Sequence, residues 1–323
     1  MTGVWLRVGK SPTGYCQTVH RPLPSFIDPY INSYTNKDIY HTMLMQEPGS
    51  LQTQQGLTLG ASVEGFFYGK NPSHWPKVSE AVNAIASLGL GVEVWATRGK
   101  NDSEPDPEGI KEIRKTCDQA PFVSMHTRHK LWRWDPHGLQ HEIWLCEAIN
   151  ARTLVLHRES LGLYDPSSRP DFPAIKRLAE AAREAGVQLV LENGRDTLWA
   201  LDLILDEIGD DPTETNLGIC IDIGHAHLSQ DAGRQPIENY LKRYREQLTH
   251  LHLHDNSGKQ DNHCLLGEGS VDWEKLFDLL EAIRYNGPAV LEIHSEGKPL
   301  EAIVQGCEFV KGLRRTTERT RTH

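Results

Sequence analysis

No stretch of this 323-residue chain approaches the roughly 18 to 20 consecutive apolar residues that a membrane helix needs. Its first residues show no charged leader followed by an apolar run. A soluble, cytoplasmic protein with no membrane partner is therefore expected. Close cysteine pairs are also missing: Cys16, Cys117, Cys146, Cys220, Cys264 and Cys307 are scattered, which argues against a disulfide framework or a zinc knuckle. Positive charge is in deficit, since 34 Lys plus Arg against 44 Asp plus Glu leave a formal net charge of −10. That balance lacks the basic footprint of nucleic-acid binders and disfavours such a partner. No glycine-rich dinucleotide fingerprint follows the first predicted strand, which argues against an open, doubly wound nucleotide-binding sheet. With 38% hydrophobic and 24% charged residues, the composition excludes a largely disordered or fibrous chain.

Residues 1–56 carry polar, turn-rich text such as Lys10-Ser11-Pro12-Thr13-Gly14 without sustained apolar periodicity, so a poorly structured N-terminal extension is expected there. From Leu57 a regular alternation begins, with short apolar runs each followed by helical text. The predicted strands are Leu57–Val63, Gly91–Trp95, Phe122–His126, Thr153–His157, Val187–Glu192, Leu217–Asp222, Leu248–His254 and Ala289–Ile293. Helical text is clearest over His74–Leu88, over Pro173–Ala185 before Gly186, and over Trp273–Arg284 before Asn286-Gly287. Nearly continuous apolar strands between helices indicate a parallel sheet buried on both faces. Eight such units over residues 57–314 match the size of a closed (β/α)8 TIM barrel of about 250 residues, an α/β fold. Residues 315–323 are expected to form a frayed polar tail.

In such a barrel the reacting groups come from the C-terminal ends of the strands. Of the sixteen histidines, twelve fall between His126 and His294, and several close a predicted strand. The strand-end set contains His126, His157, Glu192, Asp222 with His225 just beyond, His252 and His254-Asp255, Asp261 and His263 in the following loop, and Glu292-Ile293-His294. One His at a strand end is an ordinary hydrogen-bonded residue; imidazole and carboxylate at six consecutive strand ends converge on one mouth. Such packing is electrostatically costly unless protons or a divalent metal compensate it. Glu192 and Glu292 each follow apolar strand residues, where an unpaired anion is penalised. Alternation in His250-Leu251-His252-Leu253-His254 puts three histidines on one face, of which at most two are expected to do chemistry.

Leu191-Glu192-Asn193, Asp222-Ile223-Gly224-His225, His252-Leu253-His254-Asp255, Gly267-Glu268-Gly269-Ser270-Val271-Asp272-Trp273 and Leu291-Glu292-Ile293-His294 together resemble the xylose-isomerase-like TIM barrels. That family includes sugar isomerases and epimerases, inosose dehydratases and the endonuclease IV group. The resemblance covers residues 57–314 and implies a metal site of Glu192, Asp222, His252 and Glu292, with His225 as a further ligand or substrate contact. It implies a metal-dependent isomerase or epimerase acting on a sugar, sugar phosphate or polyol. A divalent ion (Mn, Zn, Mg or Co) would act as Lewis acid for an enediolate, and Glu192 and Glu292 would transfer the proton. A homo-oligomer is compatible with this reading.

The endonuclease IV members look like an elaboration of the same site, and His126, His157 and Asp261-Asn262-His263 stand where their additional ligands would be. The alternative function is therefore a multi-metal phosphodiesterase acting on abasic-site DNA. After His126, however, the chain reads Thr127-Arg128-His129-Lys130-Leu131-Trp132, unlike the Ala-Pro-Tyr-type text of those nucleases. Arg128, Lys130 and Arg133 are read as a solvated loop, and Trp132, Trp134 and Trp144 as lid or core packing.

Overall fold

A computed structural model describes residues 57–69, 76–95, 106–127 and 133–321, with side chains described as far as residue 313. The extension expected over residues 1–56 lies outside the described residues, as do Arg128, Lys130 and Trp132. The apolar runs form Thr58–Ser62 (β1), Gly91–Val94 (β2), Val123–His126 (β3), Thr153–Leu156 (β4), Gln188–Glu192 (β5), Leu217–Asp222 (β6), Leu248–Leu253 (β7) and Pro288–Leu291 (β8). All neighbours are parallel, and β1 pairs with β8 to close the barrel in sequence order.

Helices separate the strands: Val78–Ala86 (α1), Pro107–Cys117 (α2), Pro136–Ile149 (α3), Phe172–Glu184 (α4), Leu198–Ile208 (α5), Pro212–Thr215 (α6), Ile223–Leu228 (α7), Pro236–Arg243 (α8), Trp273–Ala282 (α9) and Pro299–Arg321 (α10). Their starts are written in the sequence. Asp106, Asp135, Asp171 and Asp272 each accept a backbone N–H of the first helical turn, at 2.8, 3.0, 3.0 and 3.0 Å, satisfying a donor that has no partner within the helix. At the other end of the chain, the tail expected to fray continues α10 to Arg321. Its Arg, Thr and Glu residues include no Gly or Pro after Gly312 to stop the helix. Among the described residues, no helix is long and apolar enough to cross a membrane.

Strand alternation divides the core in two. Leu59, Val92, Leu154, Leu189, Ile219 and Leu251 are fully or nearly fully buried in the main apolar cluster, where strands meet helices. Inside the barrel, Val155, Val190 and Cys220 form a small separate apolar cluster. The floor is Phe122, whose ring occupies the space that a Cβ on Gly60 or Gly91 would need. It presents its edge to His250 at 6.2 Å. Above that floor the interior turns polar, with Glu93, Ser124, His250 and His252 all buried. Cys117, Cys146, Cys220, Cys264 and Cys307 are buried free thiols.

Candidate functional site

Strands β3 to β8 deliver side chains at or just beyond their C-terminal ends to the same mouth. Glu192, ending β5, is the hub: its Oε2 lies 3.1 Å from His126 Nε2 and 3.4 Å from His157 Nε2, and its Oε1 lies 3.2 Å from His225 Nδ1. His252, on β7, turns Nδ1 to a second carboxylate group, 3.4 Å from Glu292 Oε2, 3.7 Å from Glu192 Oε1 and 3.8 Å from Asp222 Oδ2. A third group forms at the edge. There His225 Nε2 is 3.0 Å from Asp261 Oδ2, His263 Nε2 is 3.4 Å from Asp261 Oδ1, and His254 Nε2 is 3.0 Å from Asp222 Oδ1. Ligand-type atoms lie within 4.8 Å of one another in four sets: His126, His157 and Glu192; Glu192, Asp222 and His252; and His225, His254, Asp261 and His263 at the mouth, with Glu93, His250 and His252 inside the barrel.

Local backbone geometry explains much of this placement. Asp222 ends β6 and is the N-cap of α7, accepting the His225 N–H at 2.7 Å. Asn193 clamps the same strand end, its Oδ1 accepting Asp222 N–H at 2.7 Å and its Nδ2 donating to Asp222 O at 3.2 Å. Gly224 is required because a Cβ there would overlap the His254 ring. Below the mouth, Asp255 accepts from Gly267 N at 2.9 Å, Val271 N at 3.2 Å and Trp273 Nε1 at 2.8 Å, folding the Gly-Glu-Gly-Ser loop onto β7.

Backbone carbonyls set the tautomer of three imidazoles. A carbonyl only accepts, so the short contacts of His126 Nδ1 to Thr127 O at 2.9 Å, His225 Nδ1 to Asn193 O at 3.1 Å and His263 Nδ1 to Glu292 O at 2.9 Å place a proton on each Nδ1. Each ring therefore turns Nε2 towards a carboxylate. His126 also stacks on Trp95 at 4.2 Å, and His254, His263, His294 and Tyr68 form a continuous ring stack with spacings of 3.7, 4.1 and 3.9 Å.

The electrostatics follow from burial in competition with these partners. Burial opposes charge on Glu192, yet His157, His252, His126 and His225 together hold its carboxyl well below the usual range. Glu292 has fewer donors, so burial pushes it up to about 8 against the pull of His252. Burial would neutralise His126, but the Glu192 hydrogen bond and charge lift it to about 9. Asp261 lifts His263 to about 9 against the same penalty. His157 is the converse case, pushed down to about 3 by burial that Glu192 only partly offsets.

Glu192, Asp222, His252 and Glu292 thus converge, and His126, His157, His225, Asp261 and His263 adjoin them. Among the described residues, two buried polar atoms at this centre have no hydrogen-bond partner, His252 Nδ1 and Glu292 Oε1. Of the three alternating histidines, His250 and His252 on β7 and His254 just after it, His250 turns away from the mouth to Glu93. Glu93 itself was not anticipated, although a carboxylate between Val92 and Val94 in a buried strand was its signal. Nor were Asn193, or the pairing of His294 Nε2 with Glu64 Oε2 at 3.3 Å. Trp134 packs partly buried against the core, as expected, whereas Trp144 is half exposed.

Comparison with known proteins gives a consistent picture. The profile of the xylose isomerase-like TIM barrels matches residues 82–313. The chain is 31% identical over 144 residues to an uncharacterized protein of Methanocaldococcus jannaschii, covering 44% of this chain and 47% of that one. It therefore spans about half the length of that relative. It is 25% identical over 256 residues to an inosose dehydratase of Clostridium perfringens, covering 66% of this chain and 84% of the relative. Among solved structures, a D-tagatose 3-epimerase-like protein superposes with a TM-score of 0.60 at 19% identity, covering 81% of this chain and 99% of the other. At that identity the likeness speaks for the fold.

Proposed function

Because the chain belongs to the xylose isomerase-like TIM barrel family, we propose that it is a metal-dependent isomerase or epimerase of a hydroxy-ketone sugar or polyol. Glu192, Asp222, His252 and Glu292 would hold the ion. The observation that carries this reading is the pair of buried atoms without partners, His252 Nδ1 and Glu292 Oε1, among carboxylates whose oxygens lie 3.4 to 3.8 Å from that nitrogen. Buried polar groups of this kind are costly unless something pairs with them, so the residues fit a cation. A divalent ion (Mn, Zn, Mg or Co) would supply Lewis-acid polarisation of adjacent substrate oxygens and offset the charge of an enediolate.

The chain's own residues account for the rest. In the metal-free chain Glu192 is held ionised, whereas burial pushes Glu292 up to about 8. With the ion bound in place of the Glu292 proton, one carboxylate would remove the proton at carbon and the other would return it. His126, His225 and His263, oriented by backbone carbonyls, would turn Nε2 to substrate hydroxyls only by releasing Glu192 and Asp261. The inosose dehydratase relative and the epimerase-like neighbour carry names consistent with a sugar or polyol substrate. The test is solvent deuterium incorporation at carbon across ketose and inosose panels. Wild type should exchange, and Glu292→Gln should retain some metal while losing exchange; equal exchange by both overturns the reading.

A second reading rests on a separate observation. Glu192 belongs both to the set with His126 and His157 and to the set with Asp222 and His252, beside the set formed by His225, His254, Asp261 and His263. An endonuclease IV-like, multi-metal phosphodiesterase would use all three. Its test is cleavage of abasic-site DNA in the presence of Zn or Mn, and the net charge of −10 counts against it.

A further inference from the structure

We propose that Glu93 is a positioning residue: from inside the barrel it pins a ring proton on His252 Nε2, so that Nδ1 is the nitrogen left to bind a cation held among Glu192, Asp222 and Glu292. The inference rests on the reading of His252 as a metal ligand.

Glu93 lies on β2 with no solvent exposure, where a carboxylate persists only with donors around it. Three are present. Ser124, its register neighbour on β3, donates through Oγ at 2.9 Å. His250 Nε2 is 3.1 Å from Oε2, and His252 Nε2 is 3.3 Å from both Oε1 and Oε2. An ionised carboxylate only accepts, so both imidazoles carry a proton on Nε2.

This orientation is the reverse of the one found elsewhere in the site. His126, His225 and His263 are oriented through Nδ1 by backbone carbonyls and offer Nε2. His252 alone among these four is oriented through Nε2, by a side chain. The difference has a physical cause. Three carboxylate oxygens lie within 3.8 Å of His252 Nδ1 and favour a proton there until a cation takes its place; without an acceptor on the far side, nothing would hold the remaining ring proton on Nε2. Glu93 supplies that acceptor. Ser124 and His250 hold Glu93 in place, which gives a role to the β7 histidine that does not reach the mouth. Carboxylates that orient metal-binding imidazoles in this way tune both tautomer and basicity.

The test combines ring 15N NMR of the metal-free full chain with Co2+ titration followed by visible absorption. His252 is assigned by difference against His252→Gln. In wild type, His252 Nε2 should carry a proton. Glu93→Gln should lower the occupancy of the Nε2 proton, weaken Co2+ binding about ten- to a hundredfold and change the visible spectrum. Ser124→Ala, which keeps the carboxylate and both of its imidazole donors, should keep the Nε2 proton of His252. A bare Nε2 with the proton on Nδ1 in wild type overturns the proposal without reference to any variant. So does a Glu93→Gln protein that binds Co2+ within twofold of wild type. Wild type that shows a protonated Nε2 but binds no Co2+ upholds the orientation by Glu93 and refutes the metal-dependent function instead.

Discussion

Asp222 accepts the backbone N–H of His225 at 2.7 Å, so one carboxylate caps α7 and also faces the candidate metal space. The two roles separate by substitution. Asp222→Asn keeps an acceptor for the cap but removes the charge, and should bind metal much more weakly while staying close to wild type in metal-free stability. Asp222→Ala should lose both, with an additional cost of about 1 kcal/mol for the cap. Urea denaturation with and without added Zn2+ reads the two effects apart.

Glu292 makes stability depend on pH in a direction opposite to that of an ordinary surface carboxylate. Its pKa in the folded chain is raised by burial to about 8 from the ordinary carboxyl value of 4.5. Between those values the unfolded chain releases a proton that the folded chain retains. Its contribution is therefore fully present below about 4.5 and is lost as pH rises through 8. Metal-free protein should lose stability over that window, and Glu292→Gln should remove this part of the slope. Metal binding should also weaken below pH 8, because the ion has to displace the Glu292 proton. Denaturation midpoints across pH 5 to 9, with and without metal, check both statements.

Asp255, one residue beyond His254, serves the loop and not the mouth. Its carboxylate accepts from Gly267 N, Val271 N and Trp273 Nε1. Asp255→Asn keeps the size but provides only one carbonyl oxygen, leaving at least one buried donor unsatisfied. The expected cost is about 1 to 3 kcal/mol, with metal content unchanged. Chemical denaturation combined with elemental analysis tests this, and a loss of metal from Asp255→Asn would contradict it.

What could be read from the sequence follows from which forces are local. The strands were visible as apolar runs because each is buried on both faces, and the chemistry was visible because it stands where those runs end, as at Glu192 and Asp222. Helix starts were equally local, marked by capping aspartates and neighbouring prolines. Glu93 was not visible because its partners Ser124, His250 and His252 lie on β3 and β7, across the barrel interior. Only closure of the sheet brings them together. The fate of His254 was hidden for the same reason: alternation placed it on the inward face, but its engagement with Asp222 depends on the pairing of β6 with β7. The stack of His263, His294 and Tyr68 joins three separate loops. The polar text beyond Arg314 suggested fraying, whereas α10 continues through it, since polarity alone does not end a helix.

The central claim is that one ion at Glu192, Asp222, His252 and Glu292 serves proton transfer at carbon. The measurement that tests it most directly is metal content per chain, by elemental analysis of protein purified without chelator or affinity nickel. The account predicts one tightly held divalent ion per chain, lost in Asp222→Ala and retained in His157→Ala. Two or three zinc or manganese ions per chain, with one lost in His157→Ala, would contradict it and make His126, His157, Asp261 and His263 ligands of a phosphodiesterase centre.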